Sequence, residues 1–522
     1  MRKPCIKLER RTRLGSASFP VALLLGLALC GSQSACSVRT EGTGRGVLLI
    51  AIDELRADHL SGRGYDRETT PQLDQLATHG VSFARAFSSA SLLIPAHASL
   101  LTGCYPKVSH RRIPERIQIP ESNRWLIPAS VPHLAVEFLN AGYATAAFID
   151  TEALLPSAGF DSGFQLFERD DSRKRRKQEE RGGAVLSSLL RGWLADVPTD
   201  ENWFAYLHLR DLDRIWNEIS PEWDDYFSAR PGTTYVPPVG VTDKVLFAVP
   251  KSRWGGLLTT LGGYERRYDG ALRRIDQALG RLFRSLELEG RWNNTTVSVV
   301  GTYGLQFGED GLILRSGMLS VPDLQVPWIL RLSPSRGSLG AYPDQRTEPG
   351  TVFDHLASLV DVAPTLLDWE GIKIPDGTHG RSHVPVLVEG ASKVRDYAFA
   401  SEGLIDGSVV FGEEWALEEL LFSAATPELR EQWFGVREPD EELMQRGFYR
   451  YGHRAGPLRD GAESAELEAE LPAEVAQALS TALEQWRLNT TATWAVLQTS
   501  LVGDQGSDQE VRDRLQELGY LR

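Results

Sequence analysis

The stretch VLLIAIDELRADHL, residues 47–60, begins with six consecutive apolar residues and continues with two acidic ones, Asp53 and Glu54. A continuous apolar run bounded by polar residues is typical of a strand buried on both faces, as in a parallel sheet. In open α/β sheets, ligands bind beyond the carboxyl ends of the strands. The stretch therefore predicts a central strand with a candidate site at Asp53 and Glu54.

Similar apolar runs recur along the chain and alternate with helical patterns. The predicted strands cover residues 143–149, 203–209, 296–300 and 328–332. The predicted helices cover residues 71–79, 98–102, 133–141 and 264–286. This alternation predicts a doubly wound α/β sheet. From about Asp396 the pattern becomes mixed and aromatic-rich, and residues 463–486 and 508–522 are predicted to be helical.

The N-terminus differs from the rest of the chain. Basic residues precede a short apolar segment, residues 21–29, which falls short of the roughly 20 residues that span a bilayer. Residues 1–35 are therefore predicted to be a signal peptide, followed by a linker at 36–45. Small residues before Cys36 favour lipidation of that cysteine, and ordinary secretion with cleavage near Ala35 is the alternative. We expect an exported protein of the cell envelope or periplasm that touches the membrane only through its lipid anchor.

Charge and cysteine content exclude several classes of protein. The chain of 522 residues has a net charge of -14, which argues against nucleic-acid binding. If Cys5 and Cys30 leave with the signal peptide and Cys36 is acylated, only Cys104 remains. An internal disulfide and a cysteine-ligated zinc site are then excluded.

Eight segments, taken in order, resemble those of the sulfatase family, which belongs to the alkaline phosphatase superfamily. The segments are residues 47–60, 70–88, 95–103, 141–148, 159–167, 268–280, 359–368 and 380–382. The resemblance implies a three-layer α/β/α core over residues 46–389. It implies a smaller C-terminal sub-domain with a helical tail over residues 390–522. It also implies hydrolysis of sulfuric esters with a bound calcium ion.

The resemblance assigns the nucleophile and the first metal ligands to particular positions. Asp53 matches the first metal ligand, and Glu54 stands where many members have a second aspartate. Leu93 occupies the nucleophile position, and leucine has no nucleophilic atom. The neighbours Ser91 and Ser99 would each need a shift of register to replace it. The resemblance thus implies that no nucleophile is present.

Other positions that the resemblance marks for chemistry also hold different residues. Thr302 and Tyr303 stand where the family has its second pair of metal ligands. Ser316 replaces a lysine or histidine, and Asp213 replaces a histidine that would protonate the leaving group. His208 remains, either as a helper or as a hydrogen-bonded histidine near a strand end. We expect Asp53, Leu93 and Thr302 to converge at one edge of the sheet.

These substitutions leave three functions open. The favoured one is a non-catalytic envelope protein that binds a sulfated or other anionic glycan, or a protein partner. The second is an active metal-dependent hydrolase of sulfuric or phosphoric esters with a rearranged site built from Asp53, Glu54, His97, His208 and Asp211. The third is a structural envelope lipoprotein without a ligand. No tightly bound cofactor is expected, since the remaining carboxylates would hold a calcium ion only weakly.

Overall fold

The structure is a computed structural model that describes most of the chain. The described residues are 44–106, 108–109, 111–112, 125–169, 182–214, 226–228, 253, 258, 260–309, 313–333, 347–401, 406–421, 444–450 and 471–501. The predicted signal peptide, Cys36 and the predicted helix at 508–522 lie outside these residues. They stay predictions, as does the domain boundary at residues 389 and 390.

Strands occur along the whole described part of the chain. They are β1 (Gly46–Ile52), β2 (Val81–Phe87), β3 (Arg111–Arg112), β4 (Trp125–Leu126), β5 (Ala144–Ile149), β6 (Leu166–Arg169), β7 (Trp203–Leu209), β8 (Thr295–Gly301), β9 (Gln306–Phe307), β10 (Ile313–Arg315), β11 (Gln325–Arg331), β12 (Thr351–Ser358), β13 (Ala398–Ser401), β14 (Asp406–Phe411), β15 (Trp415–Leu421) and β16 (Met444–Arg450).

Within the described residues, eight strands form the central sheet in the order β12-β2-β11-β8-β1-β7-β5-β6. Neighbouring strands are parallel except at β11, which runs antiparallel to both β2 and β8. Every residue of β1 is buried, as its apolar run predicts, because β7 and β8 flank it and both faces are covered.

Helices cover both faces of this sheet. The α-helices of the described residues are α1 (Pro71–Thr78), α2 (Leu93–Thr102), α3 (Leu134–Asn140), α4 (Gly183–Asp196), α5 (Asp211–Arg214), α6 (Leu261–Leu288), α7 (Val321–Leu324), α8 (Val362–Trp369) and α9 (Ala473–Leu501). Apolar residues of α2, α3 and α8 share one core with the sheet. Those of α1, α4 and α6 share the core on the opposite face. The three-layer α/β/α architecture is therefore confirmed.

Strands β2 and β12, helix α4, the start of helix α2 and the bounds of helix α9 are among the features that differ from expectation. Helix α2 begins at Leu93 rather than Ala98, because Pro95 lies in its first turn, where a helix tolerates proline. Strands β2 and β12 were not predicted. Polar residues interrupt both, and β12 alternates between half-buried and exposed residues, as an edge strand does.

The C-terminal part consists of a second sheet and a long helix. Strands β13 to β16 form an antiparallel sheet of four strands in the described residues. Helix α9 packs on it through Leu479, Leu483 and Trp486. The ring of Phe411 in β14 stacks on Phe87 of the central sheet at 4.1 Å and so joins the two sheets. None of the described helices is long and apolar enough to cross a membrane.

Candidate functional site

Three neighbouring strands bring the predicted site residues together. The register aligns Ile52 at the end of β1 with Leu209 of β7 and Gly301 of β8. Side chains alternate along a strand, so Asp53 points to the same face as Ala51, toward the layer that contains α2. His208 and Thr302 lie on that face by the same alternation. Asp53 and Thr302 therefore meet at the carboxyl edge of the sheet, as predicted.

Asp53 is fully buried and accepts hydrogen bonds on both carboxylate oxygens. His97 of α2 donates from Nε2 to Oδ1 over 2.8 Å, and the Thr302 hydroxyl donates to the same oxygen over 2.6 Å. His208 donates from Nε2 to Oδ2 over 3.0 Å. Burial opposes ionisation, but the contacts with His208 and His97 outweigh it and hold the pKa of Asp53 well below its usual range.

The tautomer of His208 follows from its second contact. The backbone N–H of Asp150 donates to Nδ1 of His208 over 3.3 Å, so the ring proton resides on Nε2. Burial lowers the pKa of His208 to about 4, and the ring is neutral at pH 7. Nδ1 of His97 lies 2.5 Å from the hydroxyl of Tyr206, whose pKa is raised by burial. The carboxylate of Asp53 is thus stabilised by hydrogen-bond donors of the protein itself.

The nucleophile position lies in an apolar cluster. Leu93, at the first turn of α2, packs with Ala90, Ala96 and Tyr303. Tyr303, which stands at a metal-ligand position, is only 5% exposed. The two substitutions therefore belong to one mainly apolar cluster at the N-terminal end of α2.

Glu54 belongs to a chain of alternating charges beside Asp53. Arg253 binds both of its carboxylate oxygens and also contacts Asp213. Asp213 in turn pairs with Arg210 at 2.7 Å. Burial raises the pKa of Glu54 to about 7 against the opposing effect of Arg253. Glu54 is also a non-glycine residue with a φ of 59°, a backbone conformation that needs support from its surroundings.

These contacts decide whether the residues fit the calcium ion that the resemblance implies. Calcium takes about six to eight oxygen ligands, including carboxylates with free lone pairs. Here the oxygens of Asp53 accept three protein hydrogen bonds, and those of Glu54 bind a guanidinium. Thr302 offers one neutral hydroxyl oxygen where the family has a charged or stronger ligand. The residues present do not fit calcium.

A transition metal is a separate case. Ligand atoms of Asp53, His97 and His208 lie within 4.8 Å of one another, which is a nitrogen-rich set of the kind that suits zinc. For His208 to bind a metal through Nε2, its proton would have to move to Nδ1, where the N–H of Asp150 already donates. The hydrogen-bonded arrangement satisfies all of these groups without an ion.

The remaining predicted residues lie around this centre. Asp211 accepts a hydrogen bond from the N–H of Gly183 at the start of α4 and pairs with Arg274, so its contacts are with helices α4 and α6. Ser316 donates to the carbonyl of Gly304. Ser99 lies 3.3 Å from Ser109, and Ser91 is fully buried.

Sequence reasoning missed Tyr206 and Arg253. Tyr206 lies two residues before His208 in a strand, so the alternation of side chains could have placed both rings on one face. No motif marked Arg253, because it is far from Glu54 in sequence and meets it only in the fold.

Comparisons with known proteins agree with the architecture. A family model described as Sulfatase matches residues 45–372. An arylsulfatase of Clostridium perfringens is 26% identical over 424 residues, which cover 70% of this chain and 82% of that protein. An N-acetylglucosamine-6-O-sulfatase of Bacteroides thetaiotaomicron is 23% identical over 448 residues, covering 71% and 76%.

A solved structure shows the same fold. The phosphonate monoester hydrolase of Agrobacterium radiobacter matches with a TM-score of 0.60 and 19% identity, over 86% of this chain and 96% of that one.

Proposed function

The chain belongs to the sulfatase family, and from this premise we propose that it is a non-catalytic member at the cell envelope that binds an anionic glycan or partner. The observation that carries the proposal is the state of Asp53. Both of its oxygens are occupied by protein donors, and the side chain has no exposed surface.

Loss of catalysis follows from the chemistry that the site lacks. Ester hydrolysis in this family needs a nucleophile and a cation that stabilises the developing charge. Leu93 supplies no nucleophile, and the protein's own donors and Arg253 occupy the carboxylates. Removal of a nucleophile alone typically costs several orders of magnitude in rate. Charge stabilisation is removed here as well.

Glycan binding is the part of the proposal that concerns a ligand. The relative from Bacteroides thetaiotaomicron is an N-acetylglucosamine-6-O-sulfatase, so a fold of this kind accommodates a sulfated sugar in that protein. We propose that this chain recognises an anionic sugar although it lacks the residues for catalysis.

An active hydrolase with a rearranged site is the second candidate, and the cluster of Asp53, His97 and His208 favours it. Metal content separates the two. Protein is equilibrated with calcium or with zinc, dialysed and analysed for metal, alongside a His208→Gln variant. Our proposal predicts well under one ion per chain in both forms. Near-stoichiometric metal that disappears in the variant would establish the rearranged site instead.

Anchoring at the envelope rests on Cys36, which lies outside the described residues. We expect the mature chain to be acylated at Cys36 and to partition with membranes. Intact-mass measurement on membrane fractions checks the acylation. A Cys36→Ala form that still partitions with membranes would count against a lipid anchor.

A further inference from the structure

A cavity of about 630 Å³ lies between helix α9, the second sheet and the segment that follows α2. This volume is within the range of about 300–1,000 Å³ that is usual for small-molecule sites. Its walls include Tyr105, His379, Arg381, Phe399 and Trp486. Leu93 and Tyr105 lie near opposite ends of α2, so the cavity is on the order of 15 Å from the site around Asp53 and Leu93, which we call the closed site.

Two nitrogen donors of residues that line this cavity lack an acceptor in the described part of the chain. The N–H of Tyr105 donates to Nδ1 of His379 over 3.1 Å, so Nε2 of that ring carries the proton. Burial lowers the pKa of His379 to about 4, and the ring is a neutral donor at pH 7. Nε2 of His379 and Nε1 of Trp486 are both buried without a partner. Buried donors are nearly always paired, so both point to a missing acceptor.

The aromatic walls hold these donors in place. Trp486 is 7% exposed, and its ring stacks on Phe399 at 5.3 Å. Tyr105 meets Trp486 edge to face at 5.5 Å. The indole is therefore held by its contacts with Phe399 and Tyr105 before any ligand arrives. Such preorganisation favours binding because no ordering is needed on association.

The charges around the cavity favour an anionic acceptor. Arg381 is exposed at the rim and donates from Nη1 to the carbonyl of Val394 over 2.8 Å. Arg395 is buried and binds Asp361, so its charge is already compensated. Asp396 also lines the cavity, but Lys393 pairs with it at 2.7 Å. Arg381 therefore remains to complement a negative group.

We propose that this cavity binds the oxyanion group, sulfate or carboxylate, of one acidic sugar unit. The proposal rests on the glycan binding proposed above and moves it from the closed site to a new one. His379 and Trp486 donate to the oxyanion, and Arg381 supplies the positive charge. Thr481, Gln485 and Asn489 on α9 provide hydroxyl and amide groups near the sugar hydroxyls.

Calorimetric titration of the full chain tests the proposal. The probes are glucosamine 6-sulfate, glucuronate and uncharged N-acetylglucosamine. We expect both anions to bind and the uncharged sugar to bind at least about tenfold more weakly, since a hydrogen bond to a charged group is stronger than one to a neutral group. Trp486→Phe keeps an aromatic ring but removes the N–H donor, and should weaken binding of the anions about fivefold to tenfold.

Two further variants separate binding in the cavity from binding elsewhere on the chain. Arg381→Gln alters an exposed side chain, so it should fold normally and also weaken the anions about fivefold. Trp193→Phe, a matched change on α4, should leave binding unchanged. Anion binding that neither cavity variant alters would overturn the cavity and leave glycan binding intact. Heparin serves as a fourth probe, for glycan binding anywhere on the chain. If the wild type binds heparin but none of the three sugars, the proposal that the cavity binds an acidic sugar is wrong. If it binds neither heparin nor the sugars, the proposed glycan function fails as well.

Discussion

The edge of the sheet around Asp53, which we call the closed edge, and the cavity around Trp486 differ in whether their buried polar groups have partners. At the edge, Asp53 is fully buried and three donors complete its hydrogen bonds, while Leu93 and Tyr303 fill the adjacent space. In the cavity, about 630 Å³ remains and two buried N–H groups lack acceptors among the described residues. A ligand gains little where every donor is already paired. The comparison supports our two proposals, that the family's site has become part of the core and that binding capacity lies elsewhere.

The largest expected effect comes from removal of the centre of the closed edge. Asp53→Ala leaves the donors of His97, His208 and Thr302 buried without an acceptor. Each such group costs about 1–3 kcal/mol, so we expect a loss of at least about 3 kcal/mol in the free energy of unfolding. Urea unfolding monitored by circular dichroism measures it.

Asp53→Asn is the matched control for that change. Its amide keeps the shape and one acceptor, so the loss should be clearly smaller than that of alanine. An Asp53→Ala protein as stable as wild type would mean that Asp53 is a strained residue kept for function. The interpretation that Asp53 and its hydrogen-bond donors form a stabilising part of the core would then be wrong.

Tyr303 provides the next largest effect. Tyr303→Asn restores a residue that the family uses as a metal ligand, but it removes a buried ring that packs on Leu93. We expect a loss of about 2–3 kcal/mol in the free energy of unfolding. Tyr226, which is 44% exposed, gives the control, and Tyr226→Asn should cost less than half as much. Equal losses would show that Tyr303 does not fill the site.

The protonation state of His208 has a smaller effect on the free energy of unfolding, and this effect depends on pH. Burial lowers the pKa of His208 from its ordinary value of 6.5 to about 4, so the unfolded chain binds a proton first as the pH falls. The stability that the neutral ring contributes is complete above pH 6.5 and is lost as the pH falls toward 4. Between pH 7.5 and pH 5 this amounts to about 2 kcal/mol.

Comparison with a His208→Gln variant isolates that contribution, since other buried histidines, among them His133 and His379, have lowered pKa values too. The wild type should lose about 2 kcal/mol more than the variant over this pH range. Parallel stability curves would mean that His208 is already charged beside Asp53, and that the neutral network is wrong.

For substitutions at Leu93 we expect no change in hydrolytic activity. Leu93→Cys or Leu93→Thr restores an atom that could act as a nucleophile, but Thr302, Tyr303 and Arg253 remain in place. We expect no gain of ester hydrolysis, because nothing activates the new group or stabilises the developing charge. Asp at position 302 and Asn or His at 303 would have to be restored in the same chain. Turnover by Leu93→Cys alone would show that a metal site survives.

Much of the fold could be predicted from the sequence, because apolar periodicity is local. The run before Asp53 marked β1, and the amphipathic pattern near Leu272 marked α6. Strand β12 was not predicted, because an edge strand is half polar and shows no continuous apolar run. The second sheet was predicted only as a mixed region, since the pattern of its strands is short and irregular.

The sequence predicted which of the family's residues are missing from the candidate site, but not which contacts replace them. Leu93, Thr302 and Tyr303 could be recognised by position against the family's motifs. Their new contacts could not, because Arg253 and Glu54 are remote in sequence and pair only in the fold. The hydrogen bonds that bury Asp53 likewise join strands β1, β7 and β8 with helix α2.

The most direct test of the central claim is turnover by the wild-type protein. The chain is purified from a host without sulfatases and assayed with aryl sulfates, aryl phosphates and phosphonate monoesters in calcium, magnesium, manganese or zinc. We predict rates equal to those of the buffer control and of an Asp53→Ala preparation. Hydrolysis of any of these esters that is lost on Asp53→Ala would contradict it, and would show that the buried edge opens to a working site.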